Sequence, residues 1–229
     1  MNVVSHLYGA KVLTLQKIAE LQQRQFGVIS REQLLASGAT RRWIERKVQQ
    51  GELVRVLRSV FRLAGSPDTF ESKLMAAFLF VGGGAAVSHG SAGSLMGLIK
   101  PEASSPIHIS LPKSGRRSAE GIVVHNVRDL EPMDVVMFKN VLPVTSATRT
   151  LIDLAATSDL ESLELMLDEA LLRGWTKLVR LKWRLNTIGH GREGIAFLRE
   201  LVAEREGRPL AQSQLETRFL RLIKNARLP

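Results

Sequence analysis

The 229-residue sequence contains no cysteine. That excludes a disulfide framework, zinc held by thiolates and a cysteine nucleophile. Long apolar runs are absent as well. The most hydrophobic stretch, Leu74 to Val87, is interrupted by Gly82-Gly83-Gly84 and is too short to span a bilayer, so no membrane partner is expected. The opening residues lack the basic and apolar regions of a secretory signal, and the expectation is a cytoplasmic protein. Histidine is sparse: the five stand at positions 6, 89, 108, 125 and 190, with no pair at i, i+4. Spacing therefore gives no support for a two-histidine zinc site on a helix, and no metal or cofactor is expected.

What the chain has is positive charge, and it is unevenly placed. Residues 1–66 hold 11 Lys and Arg against 4 Glu, a balance of +7, whereas residues 67–229 hold 21 against 18, a balance of +3. The basic segment reads as a winged helix-turn-helix. Ser30 and Gln33 form a capping-box pattern that opens one short helix, Thr40 suits the N-cap of a second, and Gly38 and Gly51 stand where left-handed C-terminal caps are expected. In the second helix Ile44 and Val48 lie four apart, on the side that packs against the other helices. Arg41, Arg42, Glu45, Arg46 and Gln49 point elsewhere, the kind of face a recognition helix presents to a major groove. Leu53 to Leu63 reads as two strands folded about Leu57-Arg58-Ser59, a wing on which Arg55, Arg58 and Arg62 could reach phosphates. Clustered cations on such a motif are the footprint that binding of double-stranded DNA requires.

The remainder reads as α+β, giving an overall expectation of a winged helix-turn-helix over 1–66, a mixed α+β domain over 67–206, and a C-terminal helix over 207–229. Residues 14–25, with Leu15, Ile18, Ala19 and Leu21 at helical spacing, supply the first helix of the DNA-binding unit, after a leader of about ten residues without pattern. A buried helix is predicted over Thr69 to Val81 with Leu74, Ala77, Phe78 and Val81 inward, followed by a short strand running into a small-residue helix near Ser88. Strands are expected at Ile107–Leu111, Ile122–Val127 and Val141–Thr145, the first two flanking a basic loop at Lys113 to Arg117. Helices are expected after a cap at Ser146 or Thr145, over Leu160–Arg173, over Lys177–Leu185 with Thr176 as a possible cap, and over Gly191–Arg205.

Several chemistries are discounted. Ser88 and His89 are adjacent in a strand-like segment, where successive side chains point to opposite faces, so they read as a capping serine and a packed histidine. Gly82-Gly83-Gly84 has no following Lys-Ser or Lys-Thr and reads as a helix stop. Arg149 and Asp153, four apart on one helix, fit a simple pair, worth about 0.3–0.5 kcal/mol if exposed. The basic run Lys177, Arg180, Lys182, Arg184 and Arg192, with Trp175 and Trp183 among it, suits either a solvated face or an acidic or nucleic-acid partner. Glu193, Glu200, Glu204 and Glu206, among Arg192, Arg199, Arg205 and Arg208, read as helix-surface ion pairs.

Four blocks in order, Gly27 to Leu34, Gly51 to Val56, Val87 to Ala92 and Val141 to Ala155, resemble the AbiEi-type antitoxin family of type IV toxin-antitoxin systems. The resemblance implies a DNA-binding N-terminal domain that represses its own promoter, and a following domain that opposes a nucleotidyltransferase-like toxin. One departure is the wing, where relatives have Gly-Val-Tyr and this chain has Ser59-Val60-Phe61; a serine makes that turn less easily if its φ is positive. The tail from Ser213 to Phe219 is similar to the opening helix of a Vsr-like endonuclease domain, with Glu216 matching its acidic residue. The acidic core of that domain would lie past Pro229, so the chain as it stands is expected to be no enzyme. The alternative is the targeting part of such an endonuclease.

Overall fold

The computed structural model describes residues 15–102, 104–112 and 119–206, and these divide into two units. The leader, the basic loop at 113–117 and the Vsr-like tail with Glu216 lie outside the described residues. The first unit comprises the chain up to residue 87 with 104–130 and 137–144; the second comprises 88–103, 131–136 and the chain from 145 on. The first unit thus runs across the expected boundary at 66 and 67.

The winged module begins with α1, helical over residues 15–24. Its inward residues are Ile18, Gln22 and Gln25, whereas Leu15 is 49% exposed and Ala19 faces solvent, correcting the expected stripe by part of a turn. There follow β1 (Val28–Ser30), α2 (Arg31–Ala36), α3 (Arg41–Gln49), β2 (Leu53–Leu57) and β3 (Val60–Leu63). The capping box forms as expected: Gln33 N–H donates to Ser30 Oγ at 3.1 Å, and Ser30 N–H to Gln33 Oε1 at 3.0 Å. Thr40 Oγ1 likewise accepts from Trp43 N–H, starting α3. Both helices end in Schellman motifs. Gly38 at φ 92° and Gly51 at φ 72° reverse the chain, so that Ala39 N–H reaches Leu34 O and Glu52 N–H reaches Lys47 O.

Sequence patterning left unread a third strand in the wing sheet. Its order is β1-β3-β2, with Ile29 opposite Phe61 and Val54 opposite Arg62. Ile18, Ile29, Leu34, Ile44, Leu53 and Phe61 close over one another as the module's core. The hairpin turns at Arg58-Ser59, and neither residue has a positive φ, so the serine carries no left-handed strain there.

The same unit continues with α4 (Phe70–Val81), capped by Thr69 and buried nearly all round; Phe80 is its buried aromatic, and Phe78, expected inward, is half-buried. Gly82, Gly83 and Gly84 all have positive φ and end it, as read. Next come β4 (Ala86–Val87), β5 (Ile107–Leu111), β6 (Ile122–Asn126), β7 (Val135–Phe138), whose second half belongs to this unit, and β8 (Leu142–Thr145). The sheet order is β6-β5-β4-β8-β7, with β4 antiparallel to β5 and parallel to β8. The parallel register of β5 on β6 puts His108, Ser110 and His125 on one face, and His108 Nδ1 lies 2.9 Å from His125 Nε2. Histidines scattered in sequence are thereby paired in space.

The second unit is helical: α5 (His89–Leu95), a 3-10 turn at Pro132–Asp134, α6 (Ala147–Leu154), α7 (Leu160–Leu172), α8 (Leu178–Ile188) and α9 (Ile195–Arg205). Leu151, Leu163, Leu167, Leu181, Leu185 and Leu198 fill its core. Ser146 caps α6 as expected. Thr176 does not cap α8; it is buried, hydrogen-bonded to Thr148, and Lys177 holds the cap position. α9 starts at Ile195, four residues later than expected.

Arg149 and Asp153 are not a surface pair. Both are fully buried, and Arg149 Nε donates to Asp153 Oδ1 at 2.8 Å. Asp134, from the unread 3-10 turn, accepts from Arg184 Nε at 2.9 Å and lies 3.6 Å from Arg149 Nη1; Glu131 and Arg192 complete the network at its edge. Charges taken out of water are tolerable only when mutually satisfied. Among the described residues no helix is long and apolar enough to cross a membrane.

Two outcomes follow from these buried groups. Asp134→Ala strips a carboxylate from two buried arginines and is expected to destabilise the protein by about 3–5 kcal/mol in urea unfolding. The histidine pair shares a hydrogen bond that needs one imidazole as acceptor, and burial holds both pKa values below the ordinary 6.5. A folded-state pKa below the unfolded one contributes stability that is present above pH 6.5 and is lost as pH falls through the depressed values. His125→Gln should flatten the loss of stability between neutral and mildly acidic pH, measured by urea titration at each pH.

Candidate nucleic-acid interface

Helix α3 exists because Thr40 caps it and a run of long, unbranched side chains carries it to Gly51. Ile44 is fully buried, which turns Arg42, Arg46 and Gln49 outward on the opposite face. These three and Arg41, at the first turn, are exposed and make no ion pair among the described residues. Helix α3 therefore presents an uncompensated basic face with an amide at its far end. Arg58, at the tip of the wing, is also exposed and unpaired through its side chain.

The other singled-out residues are engaged within the unit. Glu45 Oε1 accepts from Arg31 Nη2 at 2.9 Å, and Glu45 Oε2 accepts from Arg55 Nη2 at 3.0 Å. The hydrogen bond from Arg31, together with the positive charge of Arg55, holds the Glu45 carboxyl below its usual pKa range. The two guanidinium groups also lie 5.3 and 5.2 Å from the centre of the Phe61 ring. Arg55 thus ties the wing to α3 through Glu45. Arg62 points back from the wing, donating to Ser66 O at 3.0 Å with Asp68 at 3.6 Å. Arg31 and Lys47 were missed in the sequence. Arg31 stands in α2, and only the fold brings it to Glu45; Lys47 is paired with Glu52 at 2.6 Å.

The second basic run does not form a comparable face. Arg184 is buried on Asp134, Lys182 pairs with Glu206, Arg192 reaches Asp153, and Arg180 donates to Met133 O. Arg205, read as part of a helix-surface pattern, instead crosses to Glu164 and Asp168 on α7. Ser88 and His89 do meet, against the expectation of opposite faces: His89 enters α5 at φ 48°, which swings its Nδ1 to 3.0 Å from Ser88 Oγ. Ser88 makes no capping hydrogen bond and is fully buried. Among the described residues no group of three or more His, Asp or Glu is placed to hold a metal.

Residues 16–64, from α1 through β3, match the family model described as "Transcriptional regulator, AbiEi antitoxin". The match covers the winged module, less than a quarter of the chain. No curated protein matches the sequence. Among solved structures, one similar chain is the RV2827C protein from Mycobacterium tuberculosis, at 16% identity and a TM-score of 0.47, covering 86% of this chain and 83% of that one.

The ionic bridge at Glu45 has a measurable consequence. Glu45→Ala removes a negative charge from α3 itself and releases Arg31 and Arg55. It should raise affinity for random-sequence DNA and steepen the salt dependence by about one to two counterions, measured by fluorescence anisotropy across a salt series.

Proposed function

We propose that this protein is a DNA-binding transcriptional repressor acting on its own promoter, and the antitoxin of a type IV toxin-antitoxin-like system. The observation that carries the reading is the unpaired basic face of α3, Arg41, Arg42 and Arg46 with Gln49, on a segment that matches a transcriptional-regulator family. In this reading α3 enters the major groove, its arginines donate to guanine edges, and Gln49 contacts an adjacent base. Arg58 lies on the phosphate backbone and sets register without reading sequence. Glu45 and Arg55 act together as the brace that holds α3 to the wing, and Arg62 ties the wing to Ser66 and Asp68. The helical second unit is assigned to a nucleotidyltransferase-like toxin as partner.

The test is binding to the promoter of its own gene. The Arg42→Ala, Arg46→Ala double variant should keep its fold by circular dichroism and lose promoter affinity, each lost base contact costing about 1–3 kcal/mol, with affinity for random DNA falling less. Unchanged promoter affinity in the folded double variant would remove α3 from the interface.

A further inference from the structure

Three of the four non-glycine residues with positive φ among the described residues stand together in the first unit: Phe26 at 56°, Lys139 at 48° and Asn140 at 59°. Lys139 and Asn140 form the two-residue turn between β7 and β8, closed by Val141 N–H donating to Phe138 O at 3.1 Å. Such a turn needs left-handed backbone at both central positions, which asparagine accepts readily and lysine does not. The lysine is held in place nonetheless. Its Nζ lies 5.4 Å from the Phe26 ring centre and 5.1 Å from that of Phe138, with Glu71 at 3.4 Å. Backbone strain kept in this way concentrates where a fold presets a side chain.

The turn and the end of α1 enclose a cavity of about 420 Å³ lined by Leu21, Arg24, Gln25, Lys139, Asn140 and Val141. Gln25 is 8% exposed, and its Oε1 has no hydrogen-bond partner. A buried acceptor without a donor costs free energy that a donor arriving from outside would recover. Among the described residues Arg24 has no ion pair and no carboxylate lines the cavity. An unpaired arginine, a lysine in a solvent-exposed pair with Glu71, an apolar floor and an unmet amide oxygen therefore line one space.

We propose that this cavity binds a small organic phosphate. The phosphoryl group sits between Arg24 and Lys139: the unpaired guanidinium can bond two of its oxygens, and the ammonium, whose solvent-exposed pair with Glu71 is weak, adds a further contact. A hydroxyl or amino group on the organic part donates to Gln25 Oε1, and the carbon skeleton lies on Leu21 and Val141. The DNA backbone is a poorer occupant, because a phosphodiester with its deoxyribose brings acceptors and no donor for the amide oxygen. The inference does not depend on the DNA-binding reading.

The full chain is titrated calorimetrically with glycerol 3-phosphate and O-phosphoserine, the hydroxyl- and amino-bearing probes, and with methyl phosphate, which has no donor above the second phosphate ionisation. Saturable binding of at least one donor-bearing probe at millimolar concentrations is expected, with methyl phosphate about tenfold weaker. Arg24→Ala should weaken that binding about tenfold or more. Gln25→Leu should do the same while leaving the thermal midpoint of the free protein unchanged or higher, because no side-chain hydrogen bond is lost; Arg24 is exposed, so its variant serves even if the leucine variant does not fold. The proposal is overturned if neither donor-bearing probe binds, or if binding survives Arg24→Ala. It is equally overturned if Arg24→Ala weakens DNA binding while leaving no phosphate site to detect, which would assign the cation to the DNA backbone.

Discussion

The antiparallel register of Val28–Ser30 against Val60–Leu63 is the constraint on which the winged module depends. It sets Ile29 opposite Phe61, both fully buried, in the core of the module. It also delivers Arg31 N–H to Ser59 O at 2.8 Å, fastening the first residue of α2 to the wing turn. With that link made, Arg31 and Arg55 both come close to the Phe61 ring and meet at Glu45. The orientation of α3 relative to the wing is therefore fixed twice: by apolar contact at Ile44 and by a charged bridge one residue further on.

The same ionic chemistry has different results in the two units. In the second, carboxylates are matched to arginines in the interior, and Asp134 and Asp153 draw Arg149, Arg184 and Arg192 away from solvent. In the first, Glu45 engages Arg31 and Arg55, and among the described residues Arg41, Arg42 and Arg46 have no carboxylate partner. What distinguishes a basic face able to meet phosphate from a solvated or structural one is this difference in pairing, since charge already satisfied internally releases no counterions on binding.

Strain is also localised. Phe26 follows the end of α1 and Lys139 tops the β7–β8 turn, so two left-handed residues distant in sequence are stacked against each other. The stacking of ammonium on two rings compensates the unfavourable backbone and holds the turn against the end of α1, beside the unmet amide of Gln25.

What the sequence by itself determined were local features, those whose partners lie within about one helical turn and whose capping pattern is unambiguous. The Ser30–Gln33 box, the Thr40 and Ser146 caps and the reversals at Gly38 and Gly51 are all set by interactions between residues three to five apart. Long-range features left no such mark. The pairing of β1 with β3, the meeting of His108 with His125, and the short strand Val135–Phe138 depend on which segments the core brings together. Asp134, in a stretch without periodicity, gave no sign that it would neutralise arginines 15 and 50 residues away. Arg184 read as one cation in a basic run for the same reason: spacing along a helix fixes which side chains share a face, and only the packing of other elements against that face decides whether their charges remain available to a partner.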